Sequence, residues 1–428
     1  MTFIQESALV LGIDIGTSGV RAVLMNSKFD VVAQSSSLMS DFGPNHRSPV
    51  VWWKSLESAL EQLRTEAPEQ WRQVLGISVD GTSGTMLALN NEFESIGDAL
   101  MYNDPVENPD ILEQIREHAP RKSAAHGATS GLAKLMTLQE LPGCHRVLHQ
   151  ADWVLGKFIG EYRWSDENNS LKTGYDPILR EWPNWISQTK ARRELLPDPK
   201  EPGQVTGEIH QKVANRFGLS KDVKIVSGTT DGCAAFLATG ATEIGDGVTS
   251  LGSTLVVKIL SDQPVFAPEY GIYSHRIGDQ WLPGGASNTG GNVLTHFFSD
   301  EELLKLSKNI DPETAVDLDY YPLLKPGERF PINDPAFPPR LEPKPTDDQT
   351  FLHGLLLGMS AVEALAYNRL NELGGPVLKS LRTVGGGSKN SVWTALRQKK
   401  IPVPMLNIAS DQAAAGAARL AWKGLLSS

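Results

Sequence analysis

The chain has 428 residues, 40% hydrophobic and 21% charged, with a formal net charge of −10 and a pI near 5.5. These values suit a folded protein and speak against a broad nucleic-acid surface, which needs a cationic patch to neutralise phosphates. One core rarely grows past roughly 250–300 residues, so two domains are expected.

Ala8–Ile13 is an apolar run closed by Asp14 with no basic segment before it, and reads as a first core strand rather than a signal peptide. Its continuation, Gly12-Ile-Asp14-Ile-Gly16-Thr17-Ser18-Gly19, sets an acidic side chain at a strand end and follows it with a turn of small residues. Trp53, Leu56, Leu60 and Leu63 then recur at helical spacing. Two more strand-and-turn segments follow: Val223 to Gly232, which carries Gly228-Thr-Thr-Asp231, and Val248 to Lys258, which carries Ser250-Leu-Gly252-Ser253-Thr254. Eight prolines between Tyr320 and Thr350 suit neither helix interiors nor central strands. That stretch is expected to be an irregular surface excursion of the second domain, or else a linker. Leu352, Leu356, Met359, Val362 and Ala366 predict a helix that stops at Gly374-Gly375-Pro376. The strand Leu381–Val384 and the turn Gly385-Gly386-Gly387-Ser-Lys-Asn390 come next, ending in a helix start. No stretch reads as the roughly 20 apolar residues of a membrane span. Cys144 and Cys233 fit neither a disulfide framework nor a zinc site. A cytoplasmic α/β protein is expected.

Glycines let the backbone approach a phosphate closely, and successive N–H groups with the Thr17 and Ser18 hydroxyls can hold terminal phosphates. Asp14 beside that turn suits a hydrated Mg2+, which takes one or two carboxylates plus phosphate oxygens. The second turn offers a similar cluster of hydroxyls and N–H groups. Two such turns are what a protein of two related halves needs to grip a triphosphate.

Together the segments resemble the FGGY carbohydrate kinases of the actin and hexokinase superfamily. Leu11–Asn26 is similar to that family's first phosphate motif, Ser250–Lys258 to its second, and Thr383–Asn390 to its nucleotide-binding glycine turn. Gly228–Gly232 is similar to the segment presenting its catalytic aspartate, and Asp411 to Ala418 to its final helix. The motifs stand in family order along the chain. The resemblance implies two actin-like, ribonuclease H-like α/β domains around a central cleft. Residues 1–238 would bind the sugar and be completed by a C-terminal helix over 411–428, and residues 239–410 would bind the nucleotide. It also implies ATP and Mg2+ as cofactors, with Asp14 holding the metal and Asp231 taking the proton of the attacking sugar hydroxyl. Gly16, Thr17, Ser18, Gly252, Ser253 and Thr254 would hold phosphates, while Gly285, Gly386, Gly387 and Asn390 would flank the nucleotide.

Tyr102-Asn103-Asp104 resembles the family's aromatic-Asn-Asp sugar motif, and an amide with a carboxylate suits a polyol. Val79-Asp80-Gly81-Thr82-Ser83-Gly84-Thr85 departs from the Ser-Gly-Gln-Met-His-Gly pattern of xylulokinases and is closer to ribulokinase-type members. With no His there, Thr82 or Ser83 is expected to contact the sugar, and D-ribulose is favoured over D-xylulose. Another polyol, or a sugar-sensing module without turnover, is the rival reading. No protein, nucleic-acid or membrane partner is evident. Three features are read as decoys: Asp41-Phe42-Gly43 as a surface turn, the sequon Asn168-Asn169-Ser170 as unused, and Trp52-Trp53 as core.

Overall fold

A computed structural model describes residues 7–427, which form two compact units. The first runs to Ala238 and takes in His275–Gly278 and the chain from Gln412 onward, and the second comprises Thr239–Ser274 and Asp279–Asp411.

The first unit is built on a six-stranded mixed sheet. Its centre is β1 (Leu9–Ile15), which pairs antiparallel with β2 (Gly19–Asn26) and parallel with β4 (Val74–Gly81). β3 (Val31–Leu38) extends one edge, while Lys224–Thr230, parallel to β4, and then Val205–Glu208 extend the other. β1 is buried along its whole length, as expected of a strand covered on both faces. The helix α1 (Pro49–Glu66) starts with Pro at its first position and buries Trp52, Leu56, Leu60 and Leu63. Trp52 is the fully buried member of its pair, and Trp53 lies half-buried against Trp153, Phe158 and Phe217.

The helix Ala413–Ser427 lies against β1 at unusually short range. A Cβ on Gly12 would stand 2.0 Å from the Ala414 carbonyl oxygen, and one on Gly416 would stand 1.9 Å from that of Ala234. Only glycine allows both approaches. Trp422 then seals the packing by donating its indole N–H to Met25 O at 3.2 Å.

The second unit carries a four-stranded sheet ordered Gly284–Ala286, Leu255–Ile259, Asp246–Leu251, Ser380–Val384. The helix Asp348–Glu372 runs through its core, and Gly374 follows with φ +101°. This helix is long and apolar enough to pass for a membrane span by length and composition alone, but 72% of its most apolar stretch is buried in the protein. An apolar surface on all sides is what a core helix requires. The proline-rich stretch is irregular and lies at the surface from residue 332 to 350, but it is anchored where it begins, because Tyr320, Tyr321, Leu323 and Phe330 are buried. Each such aromatic contributes about 2–3 kcal/mol of burial, enough to anchor a segment that has no regular backbone pairing. Asp41 is exposed in the turn Met39–Asp41, whereas Asn168, Asn169 and Ser170 are buried, and both cysteines are free thiols.

Candidate active site

In the first unit three carboxylates gather where parallel strands end. Asp14 on β1 is in register with Asp80 on β4, and Asp80 is in register with Thr229 on Lys224–Thr230, two residues before Asp231. The C-terminal ends of such strands are where open α/β sheets bind ligands. The strands approach closely because a side chain at Gly228 would collide with the Val79 carbonyl oxygen, 1.7 Å from its Cβ position. Asp14 accepts from Arg21 at 3.1 Å across the β1–β2 hairpin. Burial raises its pKa, Arg21 pulls it down and Asp231 pushes it up, with a net rise. Asp80 is fully buried, and neither of its oxygens has a donor from the protein. Burial and the charges of Asp14 and Asp231 lift its pKa well above the ordinary carboxylate value.

Asp231 is half-buried and opens the helix Asp231–Ala238, where it accepts the Gly232 N–H at 2.7 Å. The Gly16–Gly19 turn is closed by Gly16 N–H to Gly19 O at 3.0 Å, and it leaves Thr17 and Ser18 exposed.

Beyond β4, Thr82 donates to Gln150 Oε1 at 2.9 Å and shares a 2.6 Å bond with Thr85. Its hydroxyl is thus committed within the core at 4% exposure, which removes Thr82 as a sugar contact. Ser83 beside it is half-buried, and its side chain has no protein partner among the described residues. Asn103 is exposed. Asp104 is engaged by both terminal nitrogens of Arg47 and by the Met101 N–H. Burial would raise the Asp104 pKa, but those donors outweigh it and hold the carboxyl low. Asp104 therefore braces its loop rather than offering a free acceptor. Lys134, fully buried, donates to Gly84 O and Met101 O, and burial pulls its pKa down to about 8.

The second unit holds a cavity of about 680 Å³, and Gly252, Ser253, Gly386, Gly387 and Asn390 are among its lining residues. Gly291 N–H bonds Gly252 O at 2.8 Å, and a Cβ on Gly387 would strike Trp393 at 2.6 Å, so glycine keeps the walls this close. Two expected contacts fall outside it. Thr254 closes the turn but does not line the cavity, and Gly285 is covered by the Phe330 ring, 2.5 Å from its Cβ position. The Asn390 side chain caps the helix Ser391–Lys400 through the Trp393 N–H and donates to Ser307 at 2.9 Å, so it shapes the wall. Beneath lies a fully buried ion pair. Arg397 bonds both Glu363 oxygens, at 2.6 and 2.7 Å, and reaches Thr383, while Thr249 donates to Glu363. Thr249 and Thr383 sit in register on the strands that carry the two turns.

Family models for the N-terminal and C-terminal domains of the FGGY family of carbohydrate kinases match residues 9–238 and 247–424. The chain belongs to the FGGY carbohydrate kinases. This FGGY protein is an ATP-dependent enzyme that phosphorylates carbohydrate. It is 25% identical to the xylulose kinase of Bacillus subtilis over 97% of this chain and 88% of that one. A xylulose kinase from Klebsiella pneumoniae is also 25% identical, over 76% of this chain and 71% of its own. In fold it is similar to the kinase from Brucella ovis described as a xyloylose kinase (TM-score 0.86, 22% identity, 98% and 91% coverage). It is likewise similar to Plasmodium falciparum glycerol kinase with ADP (TM-score 0.80, 13% identity, 98% and 90% coverage).

Sequence reasoning on this FGGY kinase did not single out Asp80, Lys134, Gln150 or Arg47. Asp80 had a visible signal, since it ends an apolar strand as Asp14 does. The other three act through partners 33 to 68 residues away, which no local pattern displays.

Proposed function

We propose that this kinase phosphorylates a pentulose, D-ribulose in preference to D-xylulose, with Asp231 as general base. The observation that carries the mechanism is the half-buried Asp231 at a helix start, directly after the strand that runs beside Asp80 and, beyond it, Asp14. Asp231 accepts the proton of the attacking hydroxyl, the hydroxyl oxygen bonds the γ-phosphorus, and ADP leaves. The first-unit turn at Gly16, Thr17 and Ser18 and the second-unit turn at Gly252 and Ser253 supply N–H and hydroxyl donors for phosphate oxygens. The cavity walled by Gly386 and Gly387 takes the nucleoside.

The residues fit Mg2+, because Asp14 offers a hard oxygen donor and the oxygens of Asp80 behind it lack protein donors. Asp14 would hold the ion, which when bound neutralises phosphate charge.

Ser83, with its unengaged hydroxyl, supports D-ribulose, while the names of the similar proteins favour D-xylulose as the second reading. Cytoplasmic residence accords with this chemistry. ADP release with Mg-ATP against D-ribulose, D-xylulose, L-ribulose, glycerol and no sugar tests the proposal. Stimulation chiefly by D-ribulose is expected. Preference for D-xylulose would overturn the specificity and keep the mechanism.

A further inference from the structure

The helix Gly131–Leu138 is apolar on every buried position except one. Gly131, Leu132, Ala133, Leu135, Met136 and Leu138 are all buried, and so is Lys134, at 0% exposure. Its Nζ donates to Gly84 O at 2.7 Å and to Met101 O at 2.5 Å. Among the described residues no carboxylate forms an ion pair with it. Asp104, which attracts it from a distance, is bonded to Arg47, and Lys172 repels it. An unpaired buried ammonium is costly, and a methionine of similar shape would pack among those neighbours without that penalty. What the amine supplies is the pair of bonds.

Those bonds join two segments that are distant in sequence. Gly84 belongs to the turn that follows β4 and has φ +87°, while Met101 begins the loop that carries Tyr102, Asn103 and Asp104. The segments flank one antiparallel strand pair, in which Met86 faces Leu100, and the Tyr102 N–H donates to Thr85 Oγ1 at 3.0 Å. The lysine adds the two bonds that reach the turn and loop beyond that pair. Ser83 is one residue from one clamped carbonyl, and Asn103 is two residues from the other.

We propose that Lys134 is a positioning residue that locks the Ser83 turn to the Asn103 loop and thereby sets the spacing of the two sugar contacts. The inference rests on the reading of those two residues as sugar contacts. Misplacing a binding group by about 1 Å can cost on the order of a hundredfold, whereas the nucleotide cavity involves neither segment.

The test is steady-state kinetics of the full-length Lys134→Met enzyme with D-ribulose, and with D-xylulose should that be the better substrate. Ser83→Ala and Asn103→Ala are measured in parallel. The expected result is a sugar KM raised about tenfold or more, an ATP KM within about twofold of the parent, and faster hydrogen exchange confined to residues 82–85 and 101–104. An unchanged sugar KM in Lys134→Met, with a raised KM in the other two variants, overturns the lysine's role alone. An unchanged KM in Ser83→Ala and Asn103→Ala overturns the sugar-site reading instead. Should Lys134→Met fail to fold, Lys134→Gln, which keeps an N–H donor, is measured by the same criteria. Loss of folding in both makes the lysine a stability element and overturns the proposal.

Discussion

Both units bury charge at their sites, but they treat it in opposite ways. Under the cavity of the second unit every charged atom of Glu363 and Arg397 is matched, by each other and by Thr249 and Thr383. In the first unit Asp80 is as deeply buried, and neither oxygen receives a protein donor. The paired charges act as framework, because they tie together the strands that carry two turns. The unmatched carboxyl ties no strands together, and keeping it buried without a donor costs stability. Removing charge should therefore stabilise one site and ruin the other.

The largest effect tests the chemical side. Asp231→Ala should lower kcat by about a thousandfold, within the range of a lost general base, and leave ATP affinity unchanged by calorimetry. A kcat near that of the parent would remove Asp231 from the mechanism. On the framework side, Glu363→Gln strands the buried Arg397 charge and should cost about 3–5 kcal/mol in denaturant unfolding. A loss below about 1 kcal/mol would show that the pair does not carry the strands.

The smallest effect sharpens the contrast most. Burial and neighbouring negative charge raise Asp80 above its unfolded value near 3.9. A raised carboxyl loses folded-state stability as pH climbs from the unfolded value toward the folded one. Asp80→Asn does not titrate, so it should be more stable than the parent by on the order of 1 kcal/mol, and by more at pH 8 than at pH 5. Thermal unfolding at the two pH values checks this. A destabilised variant, or an equal gain at both pH values, would mean that Asp80 is ionised and paired like Glu363.

What the sequence displayed follows the same division. Strands that end in an acidic or glycine-rich turn were readable because a buried run and its turn are local, so Asp14, Asp231 and the Gly386–Gly387 turn stood out. The helix from Asp348 was legible in its periodicity. Thr82 and Asp104 read as sugar contacts, but the Thr82 hydroxyl donates to Gln150 and the Asp104 carboxylate accepts from Arg47. Gly285 resembled a nucleotide contact, but Phe330, in a segment read as surface, lies over it. In each case the deciding partner lies more than about 40 residues away, and pairing at that range is set by the fold rather than by spacing.

The close seat of Ala413–Ser427 on Gly12 bears on how the molecule is made. During synthesis the strands of the first sheet leave the ribosome well before the helix that covers β1. At ordinary elongation rates the wait after Ala238 is roughly 10 to 35 seconds. Throughout that interval the nascent sheet shows an apolar face shaped for a helix of small residues, and the first unit, though translated first, is the one that must finish last.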